Sequence, residues 1–338
     1  MNRYAMLAAA LLGWAVHAPA QQNRTLETEG TIEVVPVRGN IYLLAGAGGN
    51  ITLSVGKDGV LMVDTGALAE SGKVIAAINK LNRDLSLGGQ PRATSTPVKP
   101  IRYIANTSSH PDHSGGNEKL ALSGRTFTGG NVSGDLGDVA EGSAILAHEA
   151  ALQNLTDAKM PSKGLPTETY FGGVMKLSHF FNGEGVVLYH TPNAITNGDS
   201  IVYFRGADVI AAGDFFVMGS YPPIDLAKGG SVQGVIAGLN RMLDLVVPEF
   251  RSEGGTFIVP GHGRIGDTAD LAYYRDMVTI IRDRVQDLIK KGMTLDQVKR
   301  ARPSEDWDPR FGSTTGPYTT DMFVEAVYRS LTQPAQKK

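Results

Sequence analysis

Residues Asn106-Thr107-Ser108-Ser109-His110-Pro111-Asp112-His113-Ser114-Gly115-Gly116-Asn117 set His110, Asp112 and His113 within one short turn of chain. Imidazole nitrogen and carboxylate oxygen are the ligand set of hydrolytic zinc. The chain has no cysteine, so a bound metal must be held by histidine and carboxylate. The Gly115-Gly116 pair lets the backbone turn tightly just after the cluster. No serine or threonine sits in a nucleophile elbow, so hydrolysis by a covalent hydroxyl route has no sequence support.

The elements around this stretch must hold it rigid and open. Ile101-Arg102-Tyr103-Ile104-Ala105 reads as a buried strand, and a loop leaving a strand is both anchored and solvent-facing. Before it come short strand-like runs at Thr31–Val37, Asn40–Ala45, Asn50–Val55 and Gly59–Asp64, with a hairpin signal at Gly56-Lys57-Asp58-Gly59. Ala67–Leu81 has helical spacing at Val74, Ile75, Ile78 and Leu81. After it, strands are expected at Ala144–Ala147, Gly185–His190, Ser200–Arg205, Asp208–Ala212 and Thr256–Val259. A helix is expected to begin near His148-Glu149, and a Pro- and Gly-broken loop covers Met160 to Thr169. Val232–Val247 reads as an amphipathic helix, and Asp267–Gly292 as a long helix with Asp267 as N-cap. Thr294–Ala301 and Thr319–Leu331 read as shorter helices. The order strands, helix, strands, helices, run twice, suits two sheet layers with helices outside, an αββα sandwich of the α/β class.

Five motifs in order resemble those of the metallo-β-lactamase superfamily. The stretch at 108–113 resembles its His-x-His-x-Asp-His loop, with Ser108 at the first His. Val63-Asp64-Thr65-Gly66 resembles its first strand-tip motif. Ala212-Gly213-Asp214-Phe215 resembles its Gly-Asp element, and Ile258-Val259-Pro260-Gly261-His262-Gly263 its Pro-Gly-His-Gly element. Pro192-Asn193-Ala194-Ile195-Thr196-Asn197-Gly198-Asp199 stands where the family has Ala-His-Thr-x-Gly-Asp, with Ile195 at the ligand His. The resemblance implies two metal sites. The first would take Ser108, His110 and Ile195, of which only His110 can ligate. The second would take Asp112, His113 and His262, all present, with Asp214 as a further oxygen ligand. Both losses fall on one site.

The resemblance therefore implies a zinc-dependent hydrolase with one metal per chain, iron or manganese being the alternatives. Metal-activated water would attack an ester, amide or lactam bond of a small molecule. Metal ligands are expected at Asp112, His113, His262, Asp214 and His110. His110 and Asp112 are the candidate catalytic residues, His110 as general acid/base. Asp64 is expected to orient a ligand histidine. A mono-zinc branch of the lactamases also lacks the first His, but it uses Cys in the second site and keeps the His that Ile195 replaces. The alternative function is a non-catalytic protein that captures a small ligand on the same fold.

Other residues have plainer readings. His190, five residues before Ile195, is either a replacement ligand or a strand-end histidine. His148 precedes Glu149 at a helix start, and His179 is structural or a pocket wall. Lys228-Gly229-Gly230 is a turn and cap, or an anion site at a helix N-terminus.

Residues 1–20 read as a secretory signal peptide: Arg3, an apolar run from Ala5 to Val16, and Ala18-Pro19-Ala20 before Gln21. The run is too short to span a bilayer. A periplasmic or secreted protein is expected, with no membrane insertion once the signal is removed. Residues 21–338 are expected to form one domain, with a surface insertion at 84–100 and a helical extension at 267–338. A domain of this size buries enough apolar surface to dispense with disulfides. The net charge of −2 is spread evenly, without the basic stripe that nucleic acid requires.

Overall fold

A computed structural model describes residues 31–86, 99–125, 142–177, 180–246 and 254–332. The leader read at 1–20, His179 and most of the insertion read at 84–100 lie outside the described residues.

Among the described residues, one sheet contains seven strands in chain order. They are β1 (Glu33–Arg38), β2 (Ile41–Ala47), β3 (Gly49–Gly56), β4 (Gly59–Val63), β5 (Ile101–Ala105), β6 (Ala144–His148) and β7 (Glu168–Tyr170). Pairing is antiparallel from β1 to β4 and parallel from β4 to β7. The second sheet contains β8 (Val174–Lys176), β9 (Val186–His190), β10 (Ser200–Phe204), β11 (Val209–Gly213) and β12 (Phe257–Pro260), in the order β12-β11-β10-β9-β8. Only β11 and β12 run parallel there.

Period-two burial makes these sheets two-faced. In β4, Leu61 and Val63 turn toward the second sheet, in a core shared with Val202, Phe204, Val209 and Val259. Val60 and Met62 turn the other way, toward Val74 and Ile78 of α1 (Ser71–Ser86). In β10, Val202 and Phe204 face inward, while Ile201 and Tyr203 join the core beneath the C-terminal helices.

The remaining helices are α2 (Pro111–Ser114), α3 (Asn117–Leu122), α4 (Glu149–Asp157), α5 (Val232–Leu245), α6 (Thr268–Lys290), α7 (Leu295–Arg300), α8 (Asp308–Phe311) and α9 (Thr320–Thr332). Leu120 of α3 lies over the first sheet. Val235 and Leu239 of α5, Val278 and Ile281 of α6 and Phe323 of α9 lie over the second. The fold is thus an αββα sandwich. The Asp267 side chain caps α6 by accepting the Asp270 N–H. Among the described residues no helix is long and apolar enough to cross a membrane.

β7 and β8 depart from the sequence reading, which has a loop over 160–169 and no strand at 174–176. Each is three residues long with mostly exposed side chains, so no alternation of burial marks it.

Candidate metal centre

The carboxyl ends of the parallel pairs β4/β5 and β11/β12 converge on one edge of the sandwich. There the two sheets are stitched together. The Asn50 backbone N–H donates to Gly261 O at 2.8 Å, and its side-chain amide donates to Pro260 O at 3.0 Å and Gly263 O at 2.9 Å. Ser200 N–H donates to Thr107 O at 2.8 Å. The strand ends deliver Asp64 from β4, the 106–113 loop from β5, Asp214 from β11 and His262 from β12.

Pro111 opens α2 at a position where its missing N–H is not needed. The helix turns His113 inward until it is fully buried. Its Nδ1 lies 2.7 Å from Asp64 Oδ2 and its Nε2 lies 2.8 Å from Asp214 Oδ1. Asp64 is itself fixed: it accepts the Thr107 N–H at 2.7 Å and the Thr107 hydroxyl at 2.6 Å. Its backbone sits at φ +65°, a left-handed conformation that aspartate tolerates better than most residues. With Nδ1–H donated to Asp64, Nε2 is the nitrogen left for a ligand.

His262 approaches from the other sheet. Its Nε2 lies 3.0 Å from Asp112 Oδ2 and 3.4 Å from Asp214 Oδ1. The rings of His113 and His262 stand perpendicular at 5.4 Å. Gly261 makes the approach possible, because a Cβ there would lie 2.6 Å from Asp214 Oδ1.

One ligand atom from each of Asp112, His113, Asp214 and His262 lies within 4.8 Å of all the others. Two imidazoles and two carboxylates are a donor set suited to zinc or another hydrolytic metal. The charges agree. Burial pushes the Asp214 carboxyl up, but the surrounding imidazoles outweigh it and hold the pKa well below the ordinary value. Burial pulls His113 down, but Asp214 and Asp64 raise it well above its ordinary value. His262 is likewise lowered by burial, yet its bonds to Asp112 and Asp214 push it up to about 9. A buried anion drawing protons onto three histidines is a place that favours a cation.

His110 stands beside this group. Its Nδ1 lies 2.9 Å from Asp214 Oδ2, and its Nε2 lies 3.9 Å from Asp225 Oδ2. Ser108 Oγ accepts the His110 backbone N–H at 3.2 Å. Ile195 is fully buried in the core between the second sheet and α5. Neither Ser108 nor Ile195 adds a ligand.

His190 lies outside the four-residue group. Its Nε2–H donates to Asn197 O at 2.9 Å, and its ring stacks on His148 with centroids 3.5 Å apart. His148 Nδ1 accepts the Ala150 N–H at 3.2 Å, capping α4. Burial, then the neighbouring His190, pull the His148 pKa down to about 4. Asp225 escaped the sequence reading: it belongs to no motif, and only the folded chain brings it to His110.

A two-layer sandwich with imidazoles and carboxylates gathered at its strand ends is the architecture of a metallo-hydrolase. The chain matches the metallo-beta-lactamase superfamily over residues 44–263 and belongs to it. That superfamily is one of metal-dependent hydrolases. No curated protein matches the chain by sequence. Among solved structures it resembles the stereoselective inverting sec-alkylsulfatase Pisa1 from Pseudomonas sp. (15% identity, TM-score 0.57, 88% of this chain and 50% of the other). It also resembles the DIM-1 metallo-beta-lactamase (15%, 0.52, 74% and 98%) and a metallo-beta-lactamase from Pontibacter korlensis (15%, 0.51, 74% and 99%). The chain spans half the length of the alkylsulfatase. At these identities the likeness is one of fold. Helices α6 to α9 lie beyond the matched region.

Proposed function

We propose that this chain is an exported, one-metal hydrolase that uses zinc to cleave an ester, amide or lactam bond in a small molecule. One asymmetry supports the reading most: Asp112, His113, Asp214 and His262 are gathered within 4.8 Å, while Ser108 and Ile195 stand at the two other ligand positions of the site that His110 would share. When bound, the metal supplies Lewis acidity, lowering the pKa of water and polarising the scissile bond.

The chain's own residues do the rest. Asp64 accepts the Nδ1–H hydrogen bond of His113 and so fixes which nitrogen faces the group. Asp214 anchors His110 through Nδ1, leaving Nε2 to exchange a proton with substrate or water as general acid/base. The His110 side chain is 15% exposed, against 2% for Asp214, so His110 is the member of this pair with access to the cleft. The leader-like sequence of residues 1–20 supports export, and the even charge distribution accords with a small-molecule partner rather than nucleic acid.

The test is a screen of chromogenic esters, amides and lactams with protein purified without chelators, then stripped and reloaded with zinc. Hydrolysis that disappears on stripping and returns on reloading is expected. A folded, zinc-loaded protein that binds small molecules but turns over none of the panel would favour ligand capture instead.

A further inference from the structure

We propose that Asp225 and Lys228 form a substrate-facing wall on the His110 side of the cleft, and that Lys228 receives an anionic oxygen group of the substrate, such as a carboxylate, sulfate or phosphate. The proposal rests on the hydrolase reading and deepens it by naming a substrate class. The superfamily pattern implies that positions 108, 110 and 195 hold the first metal; here two of the three, Ser108 and Ile195, cannot ligate.

The 225–231 segment packs over this same place. Asp225 N–H donates to Ile195 O at 2.9 Å, Ser231 N–H to Ala194 O at 3.0 Å, and Asn197 N–H to Lys228 O at 2.8 Å. Gly230 packs so closely on the Ile195 carbonyl that any Cβ there would overlap it. The 225–231 loop is therefore docked directly on the stretch that lacks the ligand histidine.

That docking brings a carboxylate and an ammonium to His110. Asp225 Oδ1 accepts the Ala227 and Lys228 N–H groups at 3.0 and 3.2 Å, which fixes the carboxylate. Its Oδ2 then lies 3.9 Å from His110 Nε2 and 3.6 Å from Lys228 Nζ. At 3.6 Å the ammonium is near a counter-charge but not hydrogen-bonded to it. Its three donors remain available, and both side chains are about three-tenths exposed (28% and 31%). Asp214 and Asp112, by contrast, are already engaged by imidazoles. Lys228 thus offers a permanent positive charge on the side of the cleft where Ser108 and Ile195 stand. Asp225 holds it there and moderates its field.

The experiment is calorimetric titration of inorganic phosphate into the full chain carrying one equivalent of zinc. Lys228→Gln is expected to weaken phosphate binding about tenfold. Asp225→Asn removes the competing carboxylate and is expected to tighten binding several-fold. Simple damage to the loop would weaken both variants, so the opposite signs carry the test. Lys57→Gln, in the exposed hairpin at the far edge, is the charge control and should match wild type. Phosphate affinity unchanged in Lys228→Gln, or weakened in Asp225→Asn, would overturn the proposal. Zinc content is measured in parallel. Failure of the wild type to hold zinc would instead count against the hydrolase reading, and titration of the metal-free chain would still decide Lys228.

Discussion

His113 shows how tightly single residues are constrained here. Both ring nitrogens are engaged, Nδ1 by Asp64 and Nε2 by Asp214, and the ring has no contact with solvent. A ligand histidine held this way needs its outer partner, and losing such a partner lowers metal affinity by roughly 10–100-fold. Asp64→Asn should therefore weaken zinc binding by about that factor in competition with a chromogenic chelator. Ser108→Ala should leave it unchanged, because Ser108 Oγ serves only the His110 backbone. Equal losses in the two variants would mean that the ligands have been sorted wrongly. Much of this cluster was legible in the sequence. Asp112 and His113 share a short motif, and Asp214 and His262 sit in motifs of their own. Asp225 was not legible, since its place depends on how the loop after Tyr221-Pro222-Pro223 docks on Ile195.

At the scale of elements, the loop carrying Ile195 is anchored by its side chain and by its backbone. Ile195 is fully buried in the core beneath α5, and its carbonyl holds the 225–231 loop. Ile195→His would bury an imidazole without a partner and should cost on the order of 2 kcal/mol, read as a lower denaturation midpoint. The double variant Ser108→His/Ile195→His should not gain a second metal. A second tightly held zinc in that variant would show that the loop has kept the ligand geometry. Strands with clear alternation, such as β4 and β10, were readable because one face meets the other sheet and one meets helices. β7 and β8 were not, because short edge strands bury too little to leave a pattern. The packing of the Ile195 loop was hidden for a different reason: sequence shows that Ile195 cannot ligate, but not where its side chain goes.

At the scale of the molecule, the two sheets meet again at the His148–His190 stack, which joins the end of β6 to the end of β9. His148 has a pKa near 4 in the folded chain, below the ~6.5 of an unfolded histidine. The unfolded chain therefore takes up the proton first on acidification. The stabilisation is fully present above pH ~6.5 and is lost as pH falls toward 4. In metal-free protein, the melting temperature should fall less between pH 7 and pH 4.5 in His148→Asn, which keeps the helix cap, than in wild type. Parallel curves for the two proteins would show that His148 does not set the acid response.

One metal should bind where Asp112, His113, Asp214 and His262 converge, and none at the position of Ser108 and Ile195. The most direct test is elemental analysis of the purified chain beside His262→Ala, with circular dichroism to show that both are folded. One tightly held zinc per wild-type chain and none in the variant is the expected result. Two zinc ions per wild-type chain, or a full complement in folded His262→Ala, would contradict it.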